Sequence, residues 1–323
     1  MDFGLLIECD RDFAAAVEVA VVAEECGFSS IWICEHHDES GYVASPLVAL
    51  AAIAMRTRHV RLGPLTLLLP QHHPLRVAED GAMVDRISAG RFVLAVGLGY
   101  VEREFAMLGI PMKERAARME EGIEIVRRLW TEERVSFAGR HFRLEEAGIH
   151  PMPVQQPRPP IWVGGWADKA LERAARLADA WVPGPTADLE ALRRCYGIYR
   201  AALARQGKPE RGGEIPGCRE VFIARTPREA LERGGRPLAR FYRDTYFRWS
   251  HPLAGRGEMS DEEIIRDRFI VGDPEECAAQ ADRLRSELGW THLICRMDVP
   301  GIQHADLLEG IRLFGQTVIP RFR

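Results

Sequence analysis

Nowhere does the sequence hold an apolar run of the roughly 18 residues that a membrane-spanning helix needs, so no membrane partner is expected. The opening MDFGLLIECDRDF is acidic and lacks the apolar core of a signal peptide, which makes a cytoplasmic protein the expectation. CxxC pairs are absent. The seven cysteines, Cys9, Cys26, Cys34, Cys195, Cys218, Cys277 and Cys295, are odd in number and scattered, which argues for reduced thiols and against a disulfide framework or a structural zinc. No HxH pattern joins carboxylates at other strand ends, so no metal site is expected. Net charge is only -4, which gives no electrostatic reason to expect nucleic acid. GLGYVE, from Gly97 to Glu102, does not complete GxGxxG, and a Rossmann dinucleotide site is not supported.

What is present is a soluble-globular composition, 46% hydrophobic and 28% charged over 323 residues, sufficient for a sizeable core. Short β-rich runs alternate with helical runs throughout. FGLLIE, SSIWIC, VRLGPLTLLLP, RFVLAVG, PIWVGG, DAWVPG, REVFIA and THLICRM read as eight strands, each followed by a helical pattern. In the long helix over 113–130, Ala116, Met119, Ile123, Val126 and Leu129 fall on one inward face. Two helix starts carry capping boxes, Thr226-Pro227-Arg228-Glu229 and Asp273-Pro274-Glu275-Glu276. Alternation implies parallel pairing, and eight units predict a single (β/α)8 TIM barrel over 1–323, an open doubly wound sheet being the alternative. Two stretches fall outside the repeat: a hairpin and proline-rich connector at about 132–159, and an insertion at about 245–267. Within the second, residues 248–263 read either as a lid over the active site or as an ordinary surface loop.

In a parallel barrel the βα loops share one rim, where ligands and catalysts collect. The unusual residues of this chain sit at those strand ends: Glu35-His36-His37, Gly63-Pro64-Leu65-Thr66, Gly97-Leu98-Gly99, Gly164-Gly165 and Arg296. Adjacent strand residues point to opposite faces, so only one of His36 and His37 can look inward while the strand continues. An imidazole there can move a proton near neutral pH, although a plain core or surface histidine fits the pattern too. QHHP, from Gln71 to Pro74, looks similar but stands at a turn before a helix, where polar residues are routine. Gly164 and Gly165 stand between a strand and the helical ADKALERAAR, where backbone N–H groups can approach an anion; a tight turn needs glycine as well. Trp32, Trp162 and Trp166 fit an aromatic-friendly pocket or core packing, and Cys34 reads as a buried apolar thiol.

The run HVRLGPLTLLLPQHHPLRVAEDGAMVDRISAGRFVLAVGLGY, with IWICEHH before it and VGDPEECAAQADRLRSELGWTHLICRMDVPGIQHADLLEGIRLFGQTVIPRF at the end, resembles the bacterial luciferase-like flavin-dependent monooxygenases across nearly the whole chain. The resemblance implies a flavoprotein TIM barrel holding reduced FMN, or in one branch a deazaflavin coenzyme, at its rim. His36 matches the family's active-site histidine. Leu65 and Thr66 match a non-prolyl cis peptide beneath the flavin ring, with Gly97 and Leu98 beside it. Gly164, Gly165 and Trp166 match the phosphate loop, and Arg296 matches a basic residue that some members turn to the phosphate. Leu98, Trp166, Ala167 and Ala170 stand where luciferases carry phosphate-binding side chains, and Gly97 replaces a reactive cysteine, so light emission is not expected. The implied activity is an FMN-dependent monooxygenase acting on a small organic substrate with molecular oxygen, the oxygenase half of a two-component system. Reduced flavin would come from a separate NAD(P)H:flavin reductase, since no second nucleotide fingerprint is present, and a homodimer is expected. The alternatives are a deazaflavin-dependent oxidoreductase and a flavin-binding paralogue without turnover.

Overall fold

Apolar, β-branched runs of four to six residues, buried on both faces, fit strands of a parallel sheet that is covered on both sides. The computed structural model describes residues 1–8, 12–39, 41–209, 213–247, 259–298 and 301–323. Its strands are β1 (Asp2–Ile7), β2 (Ser30–Ile33), β3 (Arg61–Pro64), β4 (Leu94–Val96), β5 (Val135–Ala138), β6 (Arg143–Ala147), β7 (Ile161–Gly164), β8 (Ala180–Val182), β9 (Pro216–Ile223), β10 (Phe269–Gly272) and β11 (His292–Arg296). All eight strands expected from the sequence are among them. β5 and β6 are the antiparallel hairpin within the first insertion.

One parallel sheet runs β10-β9-β11-β1-β2-β3 and another β4-β7-β8. Isolated bridges Leu62↔Phe92 and Leu67↔Val96 join β3 to β4. The result is a parallel α/β fold of the TIM-barrel type. Closure differs from the sequence expectation: among the described residues no ladder joins β8 to β9. β10, which the sequence reading did not single out, pairs instead with the outer edge of β9 from Glu220 to Ile223. A strand of only three residues at β8 has little to set against that competitor.

Helix ends follow the local chemistry. Asp273 and Glu276 form a complete capping box, whereas Thr226 accepts from the Glu229 N–H without the reciprocal bond. Met119, Ile123, Val126 and Leu129 are buried as their spacing predicts.

Inside the strands lies a small apolar cluster of Leu6, Trp32, Leu65, Val93, Ala95, Trp162, Val182 and Ile294, separate from the larger core beneath the helices. Trp32 stacks on Trp162 with centroids 4.9 Å apart, so both rings are core. Under them, at the N-terminal strand ends, Trp32 Nε1 donates to Ser30 Oγ (2.7 Å), which meets His292 Nε2 (2.8 Å). Glu214 stands 3.8 Å from His292 Nδ1 and also pairs with Arg61. Serine, histidine and glutamate in line look like a hydrolytic triad, but Ser30 and His292 are sealed from solvent. The Ser30 hydroxyl already serves two partners. This is a polar plug that fixes the base of the fold.

Ser30→Ala should therefore leave two buried nitrogens without a partner, each costing about 1–3 kcal/mol. Urea unfolding should show a lower midpoint at unchanged m-value.

Candidate active site

At the opposite, C-terminal ends of the strands the loops surround a cavity of about 470 Å³, large enough for a small organic molecule or the ring of a cofactor. His36, Leu65, Thr66, Gly97, Leu98, Gly164, Gly165, Trp166 and Arg296 all lie in its wall. Residues spread across the sequence are thereby gathered at one site.

His36 follows β2, and its Nδ1 donates to Glu104 Oε1 at 2.8 Å. Glu104 is buried in the first turn of the Glu102–Met107 helix and also accepts from the His37 backbone N–H at 3.0 Å. The two histidines diverge: His37 turns to Glu35 (3.3 Å) and is not part of the cavity wall. Burial opposes a charge on His36, but its contacts with Cys34 and with the Glu104 carboxylate prevail and hold its pKa up at about 10. The imidazole is thus a cation at neutral pH, with Nε2 the nitrogen that Glu104 does not take. Tyr42 packs edge-on against it at 4.5 Å and Tyr100 at 5.9 Å. Cys34 is half-buried in the cavity wall and not only an apolar filler.

Glu35 does the positioning. Buried, it accepts from Leu68 N (2.5 Å) and His72 Nε2 (2.7 Å), tying the β2 exit loop to the β3 exit loop. Burial pushes its pKa up, but His37, His72 and the Leu68 amide outweigh that and hold the carboxyl below its usual range. QHHP thus contributes a strut: His72 holds Glu35, and His73 caps the helix that follows.

The β3 exit carries a cis peptide between Leu65 and Thr66. Thr66 bears on two glycines, because a Cβ at Gly97 would overlap its hydroxyl at 2.3 Å and one at Gly164 would crowd its methyl at 3.1 Å. Gly165 has φ of +148°, a Cβ there would press on Ala170 at 2.8 Å, and its carbonyl is pinned by Trp181 Nε1 at 2.8 Å. The protein's own packing and backbone therefore account for Gly165 and favour a small residue at Gly164, whatever else approaches them. Beyond it, the Asp168–Leu177 helix begins at Ala167 with no side-chain cap, and Ala167 and Ala170 line the cavity. Its first N–H groups are left for water or a ligand.

Arg296 departs from the role that resemblance implies. Its guanidinium is fully buried and already donates to Glu8, to Glu220 Oε1 (2.8 Å) and to the Tyr246 hydroxyl (2.8 Å). A cation so neutralised is poorly placed to serve a phosphate. Arg115, at the start of the Arg115–Leu129 helix, is in the wall with no hydrogen-bond or ion-pair partner among the described residues. Sequence reasoning missed Arg115, Glu104, Glu8 and the tyrosines. Nothing in GYVEREF separates Glu104 from Glu102, and only the fold brings it to the histidine.

Most of the proposed lid, residues 248–258, lies outside the described residues; its end forms the Asp261–Ile265 helix, capped by Ser260 and Glu263. Among the described residues no helix is long and apolar enough to cross a membrane.

The profile of the family described as luciferase-like monooxygenase matches residues 1–292. The chain is 31% identical over 336 aligned residues to the F420-dependent glucose-6-phosphate dehydrogenase of Nakamurella multipartita, covering 95% of this chain and 91% of that protein. It is 28% identical to the 4-hydroxyprotoasukamycin monooxygenase of Streptomyces nodosus subsp. asukaensis, covering 95% and 86%. Among solved structures, monooxygenase RslO1 from Streptomyces bottropensis superposes with a TM-score of 0.90 at 28% identity, each chain covered in full.

Glu104→Gln should lower the His36 pKa from about 10 toward the ordinary imidazole range. NMR titration of the imidazole carbons reads this directly. Because the raised pKa stabilises the fold below the unfolded imidazole value of about 6.5, and loses that effect as pH climbs toward the folded value, the variant's stability deficit should be greatest at pH 6 and shrink in alkali.

Proposed function

We propose that this chain, which belongs to the luciferase-like monooxygenase family, is a monooxygenase that uses reduced FMN and molecular oxygen to oxygenate a small organic substrate. The observation that carries the reading is the pairing of His36 Nδ1, in the cavity wall, with the buried Glu104 carboxylate at 2.8 Å. An imidazolium fixed by a buried carboxylate is a proton donor, suited to an oxygen centre that gathers negative charge. Hydride removal from an alcohol needs the reverse, a neutral base to take the hydroxyl proton.

The residues present fit a flavin phosphate. The uncapped N-terminus of the Asp168–Leu177 helix offers free N–H groups and a partial positive charge, and Arg115 supplies a cation without a partner among the described residues. Leu65, Thr66, Gly97 and Leu98 would carry the ring, and Gly164, Gly165 and Trp166 the phosphate end. When bound, the reduced flavin supplies the electrons that activate oxygen. His36 would then supply a proton, and Trp166 and Tyr100, which share the cavity wall, would keep water from the reacting atoms. Reduced FMN would be supplied by a separate NAD(P)H:flavin reductase, so the purified chain with FMN and NAD(P)H alone should not oxidise the nicotinamide.

A second reading, a deazaflavin-dependent oxidoreductase, is favoured by the 31% identity to the Nakamurella multipartita dehydrogenase over 95% of the chain. Equilibrium titration with each reduced cofactor separates the two. The monooxygenase reading expects tighter binding of reduced FMN.

Arg115→Ala should weaken FMN about 10- to 100-fold, the value of one charge-assisted hydrogen bond, and leave riboflavin, which has no phosphate, unchanged. His36→Ala should retain cofactor binding but lose about 10²-fold or more of product formation; full activity in that variant would remove the histidine from the chemistry.

A further inference from the structure

Tyr42 links the His36 end of the cavity to a second polar cluster. Its ring packs on the imidazole and its hydroxyl accepts from Arg296 Nη2 at 3.4 Å. Arg296 ends β11, Glu220 lies on β9 and Glu8 follows β1. Tyr242 and Tyr246 come from the π-helical turn Tyr242–Phe247. Arg296 pairs with both carboxylates. The Tyr246 hydroxyl accepts from Arg296 Nη1 at 2.8 Å, and the Tyr242 hydroxyl donates to Glu220 Oε1 at 3.1 Å. Three phenolic hydroxyls thus already solvate these buried charges.

The solvation is incomplete. Among the described residues, Glu8 Oε2, Glu220 Oε2 and Arg296 Nε have no hydrogen-bond partner, and Glu8 and Arg296 stand in the cavity wall. Arg219, next to Glu220 along β9, does not complete it, since its guanidinium is spent on the backbone carbonyls of Pro185 and Ala187. Burial, together with the neighbouring Glu220 and Asp298, pushes Glu8 up to about 7 against the pull of Arg296.

We propose that this cluster is the substrate-recognition end of the cavity and that it takes a phenol, whose hydroxyl donates to Glu8 Oε2 and accepts from Arg296 Nε. A hydroxyl is the group that complements the one spare acceptor and one spare donor that the wall residues Glu8 and Arg296 present; an ammonium offers only donors and an ether oxygen only an acceptor. Carboxylate and phosphate headgroups are disfavoured because the cluster holds more carboxylates than its single guanidinium offsets. The rings of Tyr42, Tyr100 and Trp166 in the wall suit an aromatic body. The inference deepens the monooxygenase reading by naming its substrate class, but the binding it describes needs no flavin.

The test is therefore run on the protein without cofactor, with phenol, anisole and benzoate as matched probes and ligand-observed NMR or calorimetry as readout. Phenol should bind at least about tenfold more tightly than either of the others, the worth of a hydrogen bond to a charged group. Glu8→Gln, checked for folding by thermal melting, should narrow both gaps, and benzoate should gain as a negative charge is removed. Benzoate or anisole equal to phenol on the wild-type protein, no phenol binding at all, or a phenol preference that survives in Glu8→Gln would each overturn the proposal. Should the variant not fold, the wild-type series still decides. Failure of reduced FMN to bind would instead strike the monooxygenase reading and leave these affinities untouched.

Discussion

A single guanidinium set among strand ends, that of Arg296, constrains more of this molecule than any other side chain. It belongs to β11, reaches β9 through Glu220 and the exit of β1 through Glu8, and is met by Tyr42 from the β2 side and by Tyr246 from the π-helical turn. A buried charge is tolerable only when its partners are all in place, and removing one partner of such a pair typically costs about 3–5 kcal/mol. The strand ends are thereby held in one arrangement, and the loops that rise from them inherit it. The cavity follows from that electrostatic requirement as much as from apolar packing.

The same economy of carboxylates organises the rest of the rim. Glu35, on the β2 exit loop, accepts twice from the β3 exit loop and keeps the two together, while Glu104 holds one imidazole and one amide. Each acts on a histidine, with different results. His72 becomes a strut, His37 is drawn away from the cavity, and His36 is left in its wall as a cation. A pair of adjacent histidines is thus sorted, one into the cavity wall and one away from it, by the carboxylate each meets. At the N-terminal strand ends a serine, a histidine and a glutamate stand in line with the serine and histidine sealed from solvent, which shows how little a constellation means apart from a cavity.

Much of this was legible in the chain. The strand–helix alternation announced a parallel α/β fold, and the clustering of histidine, glycine and arginine at strand ends located the rim, because parallel topology puts all those ends on one side. The rest depended on tertiary geometry. The expected ladder between β8 and β9 is absent among the described residues because β10 takes that edge of β9, a contest between short strands that no local pattern records. Glu104 and Arg115 are ordinary charged residues in helical first turns, and their meaning arises only from what faces them. The paired glycines Gly164 and Gly165 were read as room for an anion, yet Ala170 already accounts for the missing side chain at Gly165 and Thr66 favours a small residue at Gly164. For Arg296 the position was right and the electrostatic surroundings were invisible, since its two carboxylates lie 288 and 76 residues away in sequence.

The π-helical turn at Tyr242–Phe247 carries one residue more per turn than an α-helix would. Tyr242 and Tyr246, four positions apart, both reach the charged cluster from this turn, so the backbone of a peripheral segment sets where two of its hydroxyls stand. A change of chain length there would displace both hydroxyls relative to the buried guanidinium while every strand of the sheet kept its register.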